Sequence, residues 1–285
     1  MQILKKSSIY FLFALCVFST ACAKESDFSY ASQSNGITHI LENSSPASPP
    51  TQSLAPSENA TQSWQNTADL SHIQTTKKLV AFTFDDAPHK NMENILSVFA
   101  NYNESHPNHI ACATFFINSY FLDDTTLPIL YTANVMGMEL GNHTHSHLDL
   151  TTLSKEETIR EISITDQLLQ KVDGKPYHLL RAPFGRINDT VCLLAHSPII
   201  DWSIDTLDWQ QKNTEEICQT VLDNVFDGAI VLMHDGFEGS LNALKILLPA
   251  LEEKGYQVCS VSQLAKANGV HLKKSKVYVR ARKQN

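Results

Sequence analysis

Two adjacent carboxylates follow an apolar stretch near the start of the regular part of the chain. In "AFTFDDAPHK" (81–90), Asp85 and Asp86 stand directly before Ala87 and Pro88. Neighbouring residues of a strand face opposite ways, so at a strand end one carboxylate could bind a metal while the other acts as a base. The alternative is a turn or a helix cap, since Asp before proline is common in loops. The pair alone leaves both interpretations open.

A histidine cluster favours a functional role for Asp85 and Asp86 over a turn or a helix cap. In "GNHTHSH" (141–147), His143 and His147 are four residues apart, which predicts that both rings share one face of a helical turn while His145 points elsewhere. Two neutral imidazoles and one carboxylate make a three-ligand site with open positions, which is typical of catalytic zinc. Surface histidines are the alternative, because the chain has 12 of them. The nearby carboxylate pair favours metal ligands.

An arginine and a tight turn follow another apolar run, in "LLRAPFG" (179–185). Arg181 cannot lose its proton, so it could hold a neighbouring carboxylate ionised and oriented. The alternative is a surface ion pair. The sequence "PFG" (183–185) predicts a turn that could direct a backbone N–H towards a developing oxyanion.

Two later stretches carry further candidates. In "DWSIDTLDW" (201–209), Trp202 is predicted to pack in the core, whereas Trp209, beside Asp208, is a candidate pocket wall. The apolar run in "GAIVLMHDG" (228–236) ends in His234. A histidine at this place is either a satisfied core residue or a general acid/base, and its position at a strand end favours the second role.

Short apolar runs alternate with amphipathic stretches from residue 77 onward. The predicted strands are 78–84, 110–117, 178–182, 198–204, 229–234 and 256–261. The predicted helices are 91–103, 125–136, 154–172, 188–196, 213–225 and 239–253. The clearest helix, 154–172, has a Ser154–Glu157 capping box and an apolar stripe that includes Ile159 and Ile162. This alternation predicts a single α/β domain at 76–268 with a parallel sheet, and a barrel is plausible. Chemistry is then expected at the carboxyl ends of the strands.

Taken in chain order, the five stretches resemble the motifs of the polysaccharide deacetylase family, also called the NodB-homology domain or carbohydrate esterase family 4. The matching segments are TFDDAP (83–88), HTHSH (143–147), RAPFG (181–185), DTLDW (205–209) and LMH (232–234). The segment "CATFFIN" (112–118) also resembles the second strand of that family. Five motifs in order are highly specific, and they span nearly the whole predicted domain.

The resemblance implies a distorted (β/α) barrel and a bound divalent metal, zinc or else cobalt. The implied metal ligands are Asp86, His143 and His147. The implied catalytic residues are Asp85 as base, Arg181 orienting it, and His234 as acid paired with Asp208. The implied substrate contacts are Trp209 and Leu232, which enclose the acetyl methyl group, and the backbone N–H of Phe184, which contacts the oxyanion.

Two positions depart from the family pattern. Ala87 replaces a glycine, so the backbone there must accept a negative φ. Phe184 replaces the commoner tyrosine, and this loss of a hydroxyl should be tolerated because the family assigns the contact at that position to the backbone N–H.

The set predicts hydrolysis of N-acetyl groups on an aminosugar glycan, with release of acetate. Peptidoglycan, poly-N-acetylglucosamine and chitin-like oligomers all remain open as substrates. One alternative keeps the site but changes the bond, giving an O-acetyl ester hydrolase on an acetylated glycan. Another is an inactive barrel that only binds envelope glycan.

The N-terminus predicts export. Lys5 and Lys6 precede an apolar run at 9–18, which is well short of the roughly 20 residues that a bilayer span needs. Residues 1–22 are interpreted as a signal peptide with a lipobox, whose lipid-modified Cys22 would anchor the chain to a membrane; an A-x-A cleavage site at 21–23 is the alternative. Labelling with a palmitate analogue in wild type and Cys22→Ser distinguishes the two. In either case the chain works in the periplasm or cell envelope.

The segment 23–75 is rich in Ser, Pro and Asn, which predicts a disordered tether. The chain of 285 residues has a formal charge of −8, and its acidic body argues against nucleic acid as a partner. The segment 269–285 is predicted to be a basic, solvated tail, although it could touch anionic lipid or polymer. We expect a monomer that binds an N-acetylated glycan.

Four cysteines remain beyond the predicted anchor. They are Cys112, Cys192, Cys218 and Cys259. An exported chain with four cysteines could form two disulfides, and free buried thiols are the alternative.

Overall fold

The fold is a parallel α/β structure, and the computed structural model describes residues 64–282 of it. Its strands are β1 (Lys78–Ala87), β2 (Thr114–Ile117), β3 (Glu139–Asn142), β4 (Ile199–Ile200), β5 (Ile204–Asp205), β6 (Ala229–His234), β7 (Tyr256–Cys259) and β8 (Val277–Tyr278). The predicted signal peptide, its Cys22 and the tether up to residue 63 lie outside the described residues.

Seven α-helices alternate with these strands. They are α1 (Met92–Ser105), α2 (Leu127–Val135), α3 (Lys155–Asp173), α4 (Asp189–Leu194), α5 (Thr214–Asn224), α6 (Glu238–Glu253) and α7 (Val261–Ala267). The six predicted helices are confirmed, and α7 was missed although its Ser260–Gln263 capping box is visible in the sequence. Among the described residues, no helix is both long and apolar enough to span a membrane.

The long strand β1 organises the sheet. It pairs in parallel with β2, β6 and β7, and the full order is β3-β2-β1-β6-β5 with β7 beside the start of β1. Bridges at Leu180 continue the series from β3 to β4. No ladder within residues 64–282 joins β4 to β5, so the hydrogen bonds do not close a full barrel. All of the paired strands in the main sheet are parallel, so their carboxyl ends meet at one edge.

Strand β3 was not predicted because only one of its four residues, Leu140, is strongly apolar. It is nevertheless almost entirely buried, since β2 lies on one side and Leu180 on the other. Gly141 is required there for steric reasons. A Cβ at this position would lie 2.6 Å from the Phe116 ring.

Four predicted strands were too long. Only Thr114–Ile117 of the segment 110–117 and Tyr256–Cys259 of the segment 256–261 form strands. The segment 178–182 contributes only the bridge residue Leu180, because each neighbouring chain pairs with it at a single position. The segment 198–204 divides into β4 and the start of β5, and residues 201–203 between them form no strand. Trp202 in this gap packs on a hydrophobic cluster, as predicted.

The C-terminal segment is not a solvated tail, and that prediction was wrong. Strand β8 pairs with β4, and the N–H of Ala281 donates to the Gly228 oxygen at 2.9 Å. Leu272 and Ala281 are buried, whereas the basic side chains of the segment face solvent. The period-two pattern of "KVYVRAR" (276–282) is the strand signal that was overlooked.

The described end of the predicted tether, 64–75, also packs on the domain. Trp64 and Ile73 contact the hydrophobic cluster that contains Val261 and Leu264. Asn66 donates from Nδ2 to the Ser262 oxygen at 2.8 Å. The folded part therefore begins before residue 76.

The four cysteines within the described part of the chain are free thiols, which favours that interpretation over disulfides. Three of them are buried, and Cys192 is half-buried.

Candidate active site

Three side chains converge at the carboxyl edge of the sheet. The Asp86 Oδ1 atom lies 3.3 Å from His147 Nε2 and 3.5 Å from His143 Nε2. One potential ligand atom from each residue lies within 4.8 Å of the others. Asp86 Oδ1 is buried and has no hydrogen-bond partner within the described part of the chain. A buried carboxylate oxygen left unpaired between two imidazoles fits a divalent cation, so these three residues could hold one.

The spacing of the two histidines predicted that they share a helical turn, and that prediction was wrong. Residues 143–149 form a loop after β3, in which Thr144 and His147 have φ values of 68° and 54°. This left-handed backbone is what turns both rings towards Asp86. His143 Nδ1 lies 2.9 Å from the Arg181 carbonyl oxygen, so Nδ1 donates the hydrogen and Nε2 keeps a lone pair for the cluster.

Polar groups on α3 and β3 support this loop. Asn142 accepts the Thr144 N–H on Oδ1 at 2.8 Å, and its Nδ2 donates to Asp166 Oδ1 at 3.0 Å. Glu161 accepts the Ser146 N–H on Oε2 at 2.6 Å. The capping box of α3 is confirmed, but its predicted stripe was partly wrong, since Ile159 is 43% exposed. The buried face of α3 therefore includes polar residues, and two of them, Glu161 and Asp166, bond the histidine loop and Asn142.

Asp85 is paired with a buried arginine. Arg181 Nη1 donates to Asp85 Oδ1 at 2.7 Å, and both side chains are at least nine-tenths buried. Burial raises the pKa of Asp85, but the charges of Arg181, His143 and His234 outweigh that effect and hold the pKa below its usual value. Asp85 is therefore ionised at neutral pH.

Backbone and side-chain acceptors fix the guanidinium of Arg181. It donates from Nε to the Ile200 oxygen at 3.0 Å, from Nη2 to the Asp201 oxygen at 3.1 Å and from Nη1 to Thr83 Oγ1 at 2.7 Å. Its Cζ atom lies 4.1 Å from the centroid of the Phe116 ring. This set of contacts permits one orientation, in which Nη1 faces Asp85.

A second pair flanks the cluster. His234, at the end of β6, places Nδ1 2.8 Å from Asp208 Oδ1, and its N–H donates to Asp208 Oδ2 at 2.7 Å. Ser240 also donates to Asp208 Oδ2. Burial lowers the pKa of His234, but the hydrogen bond and charge of Asp208 outweigh burial and raise the pKa of His234 to about 9. The ring is thus protonated near neutral pH and can give up a proton.

The remaining predicted residues lie around these two pairs. Phe184 is 60% exposed, has a φ of 60° and places its ring 4.7 Å from that of His147. Trp209 is 50% exposed, and Leu232 is buried two residues before His234, on the same face of β6. Ala87 is buried and is absent from the positive-φ positions, as the departure from glycine required.

Three supporting residues were missed from the sequence. Asn142 and Glu161 hold the histidine loop, and Asp235 accepts the His89 N–H on Oδ2 at 2.8 Å, which ties the loop after β1 to the end of β6. Asp235 follows His234 directly, so its position beside the site could have been noticed. Glu161 sits in an ordinary amphipathic helix and gives no such signal.

The fold and the site define a parallel α/β protein with a candidate metal centre at the carboxyl edge of its sheet. Residues 72–198 match the family model for polysaccharide deacetylase. The peptidoglycan-N-acetylmuramic acid deacetylase PdaC of Bacillus subtilis (strain 168) is 32% identical over 196 residues, which is 67% of this chain and 40% of PdaC. The chain thus spans less than half the length of that relative.

Solved structures agree with this match. A T48 deacetylase solved with substrate has a TM-score of 0.66 and 30% identity, covering 72% of this chain and 99% of the other. A family 4 acetyl xylan esterase from Clostridium thermocellum, in complex with a cobalt ion, has a TM-score of 0.66 and 26% identity, covering 71% and 98%. The chain belongs to the polysaccharide deacetylase family, whose deacetylases are metal-dependent.

Proposed function

We propose that this chain hydrolyses N-acetyl groups of an aminosugar glycan and releases acetate. The observation that carries the proposal is the placement of an ionised carboxylate, Asp85, and a protonated imidazole, His234, around the Asp86–His143–His147 cluster. Relatives named as deacetylases of peptidoglycan support an N-acetylated cell-wall glycan as substrate. Export, with lipid attachment at Cys22, would bring the domain to such a glycan.

Asp86, His143 and His147 would hold the metal, which we propose to be zinc, with cobalt as the alternative. When bound, such an ion polarises a carbonyl and lowers the pKa of water. Burial and the nearby His143 lower the pKa of His147, so its ring is neutral and can act as a ligand at neutral pH.

Asp85 and His234 divide the proton transfers. Asp85 accepts the proton of the attacking water, and Arg181 keeps the carboxylate ionised and oriented for this step. His234 then donates its proton to the departing amine, and Asp208 holds the ring in place through Nδ1. An amide needs this second transfer far more than an ester does, because an amine is the poorer leaving group.

The proposed substrate contacts involve three further residues. The Phe184 N–H, in a turn beside His147, would stabilise the developing oxyanion. Leu232 and Trp209 border the His234 side, where they would enclose the acetyl methyl group.

Acetate release from N-acetylglucosamine oligomers and from acetylxylan, measured on the zinc-loaded protein, tests the proposed bond. We expect faster release from the amide substrate. Faster release from acetylxylan would identify an ester hydrolase instead. No release from either substrate, together with glycan binding, would identify an inactive binding domain.

The pH dependence tests the acid assignment. Asp208→Asn removes the carboxylate that raises the pKa of His234, so the ring should lose its proton at a lower pH. In wild type, kcat should fall as the pH rises through about 9. In the variant, this alkaline limb should move to lower pH. An unchanged limb in pH–rate profiles of the two proteins would contradict the role of His234 as acid.

Zinc affinity tests whether Asn142 positions the loop that carries His143 and His147. Asn142→Ala removes the acceptor for the Thr144 N–H between the two histidines, so zinc affinity should fall roughly 10–100-fold. Competition with a chromogenic chelator measures this directly. Asn134→Ala is the matched control, because the Asn134 side chain donates to the Val172 oxygen, at the far end of α3, at 3.5 Å. Equal zinc affinity in the two variants would exclude a positioning role for Asn142.

A further inference from the structure

Exposed aromatic side chains are concentrated at the edge of the sheet that carries the site. Four large aromatic residues of the described chain are at least 43% exposed, namely Tyr120, Tyr131, Phe184 and Trp209. Three of them follow strands or bridges that end at the metal cluster, and Tyr131 alone lies elsewhere, on α2. Exposed apolar surface that clusters beside a polar site marks a ligand-binding groove.

Tyr120 is the member of this group that matches none of the five motifs. It follows β2 in a 3₁₀ turn at Ser119–Phe121 and is 67% exposed, the most of any aromatic side chain in the described chain. Its N–H donates to the His145 oxygen at 3.0 Å and also contacts Asn118 Oδ1 at 3.1 Å. The backbone of Tyr120 is therefore bonded directly to the histidine loop.

Neighbouring rings hold the side chain of Tyr120 in place. Its ring centroid lies 5.9 Å from that of Phe121 and 6.2 Å from that of His145, both in edge-to-face arrangements. Ser119 Oγ lies 2.9 Å from His145 Nδ1, which orients the second ring. An aromatic side chain that is fixed in position yet mostly open to solvent loses little entropy when a ligand covers it.

The distance from Tyr120 to the reaction site is short. His145 lies two residues from each of His143 and His147, so its Cα atom is within about 7 Å of theirs. Tyr120 contacts the ring of His145, which is not one of the three residues of the cluster. A sugar that brings its acetyl group to the cluster therefore leaves the Tyr120 ring to the next unit of the substrate.

We propose that Tyr120, held edge-to-face against His145, forms a subsite for the sugar next to the one that is deacetylated. The C–H face of a pyranose would pack on the tyrosine ring, which buries apolar area on both. The inference rests on the proposed function and makes it more specific, because it requires a glycan chain and not a single aminosugar. Tyr120 then determines chain-length preference and takes no part in bond cleavage.

Chain-length dependence tests this subsite. We expect kcat/KM of wild type to rise with length across N-acetylglucosamine oligomers of two to five units. In Tyr120→Ala, the ratio of the pentamer value to the dimer value should fall about tenfold, which corresponds to about 1.4 kcal/mol. The loss should appear in KM, since stacking on a remote sugar stabilises ground state and transition state alike. Tyr120→Phe should retain the wild-type ratio, because the ring remains.

Tyr131→Ala is the matched control, since Tyr131 is 43% exposed and its hydroxyl donates to the Lys171 oxygen away from the site. In this variant, the ratio of the pentamer kcat/KM to the dimer kcat/KM should equal that of wild type. Calorimetric titration of the pentamer into Asp85→Asn and Asp85→Asn/Tyr120→Ala measures binding without turnover. An unchanged affinity between these two proteins would overturn the subsite. Absence of acetate release from every oligomer by wild type, with weaker binding in the double variant, would overturn the proposed function and leave the subsite in place.

Discussion

Asp85→Asn is expected to abolish most acetate release while the protein keeps its metal. An amide cannot accept the proton that the carboxylate takes from water, so kcat should fall about 10²–10⁴-fold. The Asn side chain has nearly the same shape, and its oxygen can still accept the hydrogen bond from Arg181 Nη1. Asp86, His143 and His147 are untouched, so the zinc content should equal that of wild type by elemental analysis.

A control at the opposite end of β1 separates catalysis from folding. Asp227 accepts the Leu79 N–H on Oδ1 at 2.9 Å, at the opposite end of β1. Asp227→Asn should leave acetate release close to wild type. Near-full activity in Asp85→Asn would refute the assignment of the base, and loss of zinc from that variant would show that Asp85 belongs to the metal site.

Arg181→Met is expected to cost about 3–5 kcal/mol of the free energy of unfolding, because it leaves the buried Asp85 carboxylate without its partner. Thr83 and the carbonyl oxygens of Ile200 and Asp201 lose donors as well. Urea unfolding in the presence of a chelator measures the effect without a contribution from bound metal.

The loss in the free energy of unfolding caused by Arg181→Met should depend on pH. In wild type the folded pKa of Asp85 is lowered, so its contribution to stability is present above the unfolded pKa and is lost as the pH falls. Without Arg181, burial raises the folded pKa above the unfolded value, so the variant loses stability as the pH rises. The difference between the two proteins should therefore be larger at pH 7 than at pH 5.

A double variant tests whether the cost comes from the pair. Arg181→Met/Asp85→Asn removes both charges, so part of the lost stability should return relative to Arg181→Met. A double variant that is less stable by the sum of the two single effects would show that Arg181 acts through packing and not through Asp85.

The residues that could do chemistry were largely predictable from the sequence, whereas the residues that hold them in position, such as Asn142 and Glu161, were not. Asp85, Asp86 and His234 end long apolar strands, and such strands are recognisable by their run of buried residues. In the structure, Asp86, His143 and His147 lie together, and Arg181 and Asp208 pair with Asp85 and His234. Their individual roles stay predictions until the variants above are measured.

The secondary-structure predictions that were wrong share one physical cause. Strand β3 and the bridge at Leu180 are strand-like only because chains distant in sequence lie on both sides of them. Likewise, the histidine spacing predicted a helical turn, but contacts from Asn142 and Glu161 impose a left-handed loop. Local pattern indicates which residues are apolar, and it does not reveal which distant backbone will supply their hydrogen bonds.

The pairing of β8 with β4 makes the orientation of the base depend on residues that lie outside the five motifs. The Ile199 and Asp201 N–H groups donate to the oxygens of Lys276 and Tyr278, both at 2.8 Å, and the same short segment offers the carbonyls that hold Arg181. A truncated chain ending at 270 would contain all five motifs but lack the strand that fixes β4. The strand that fixes β4 lies outside all five motifs, so an intact set of motifs does not by itself make an intact catalyst.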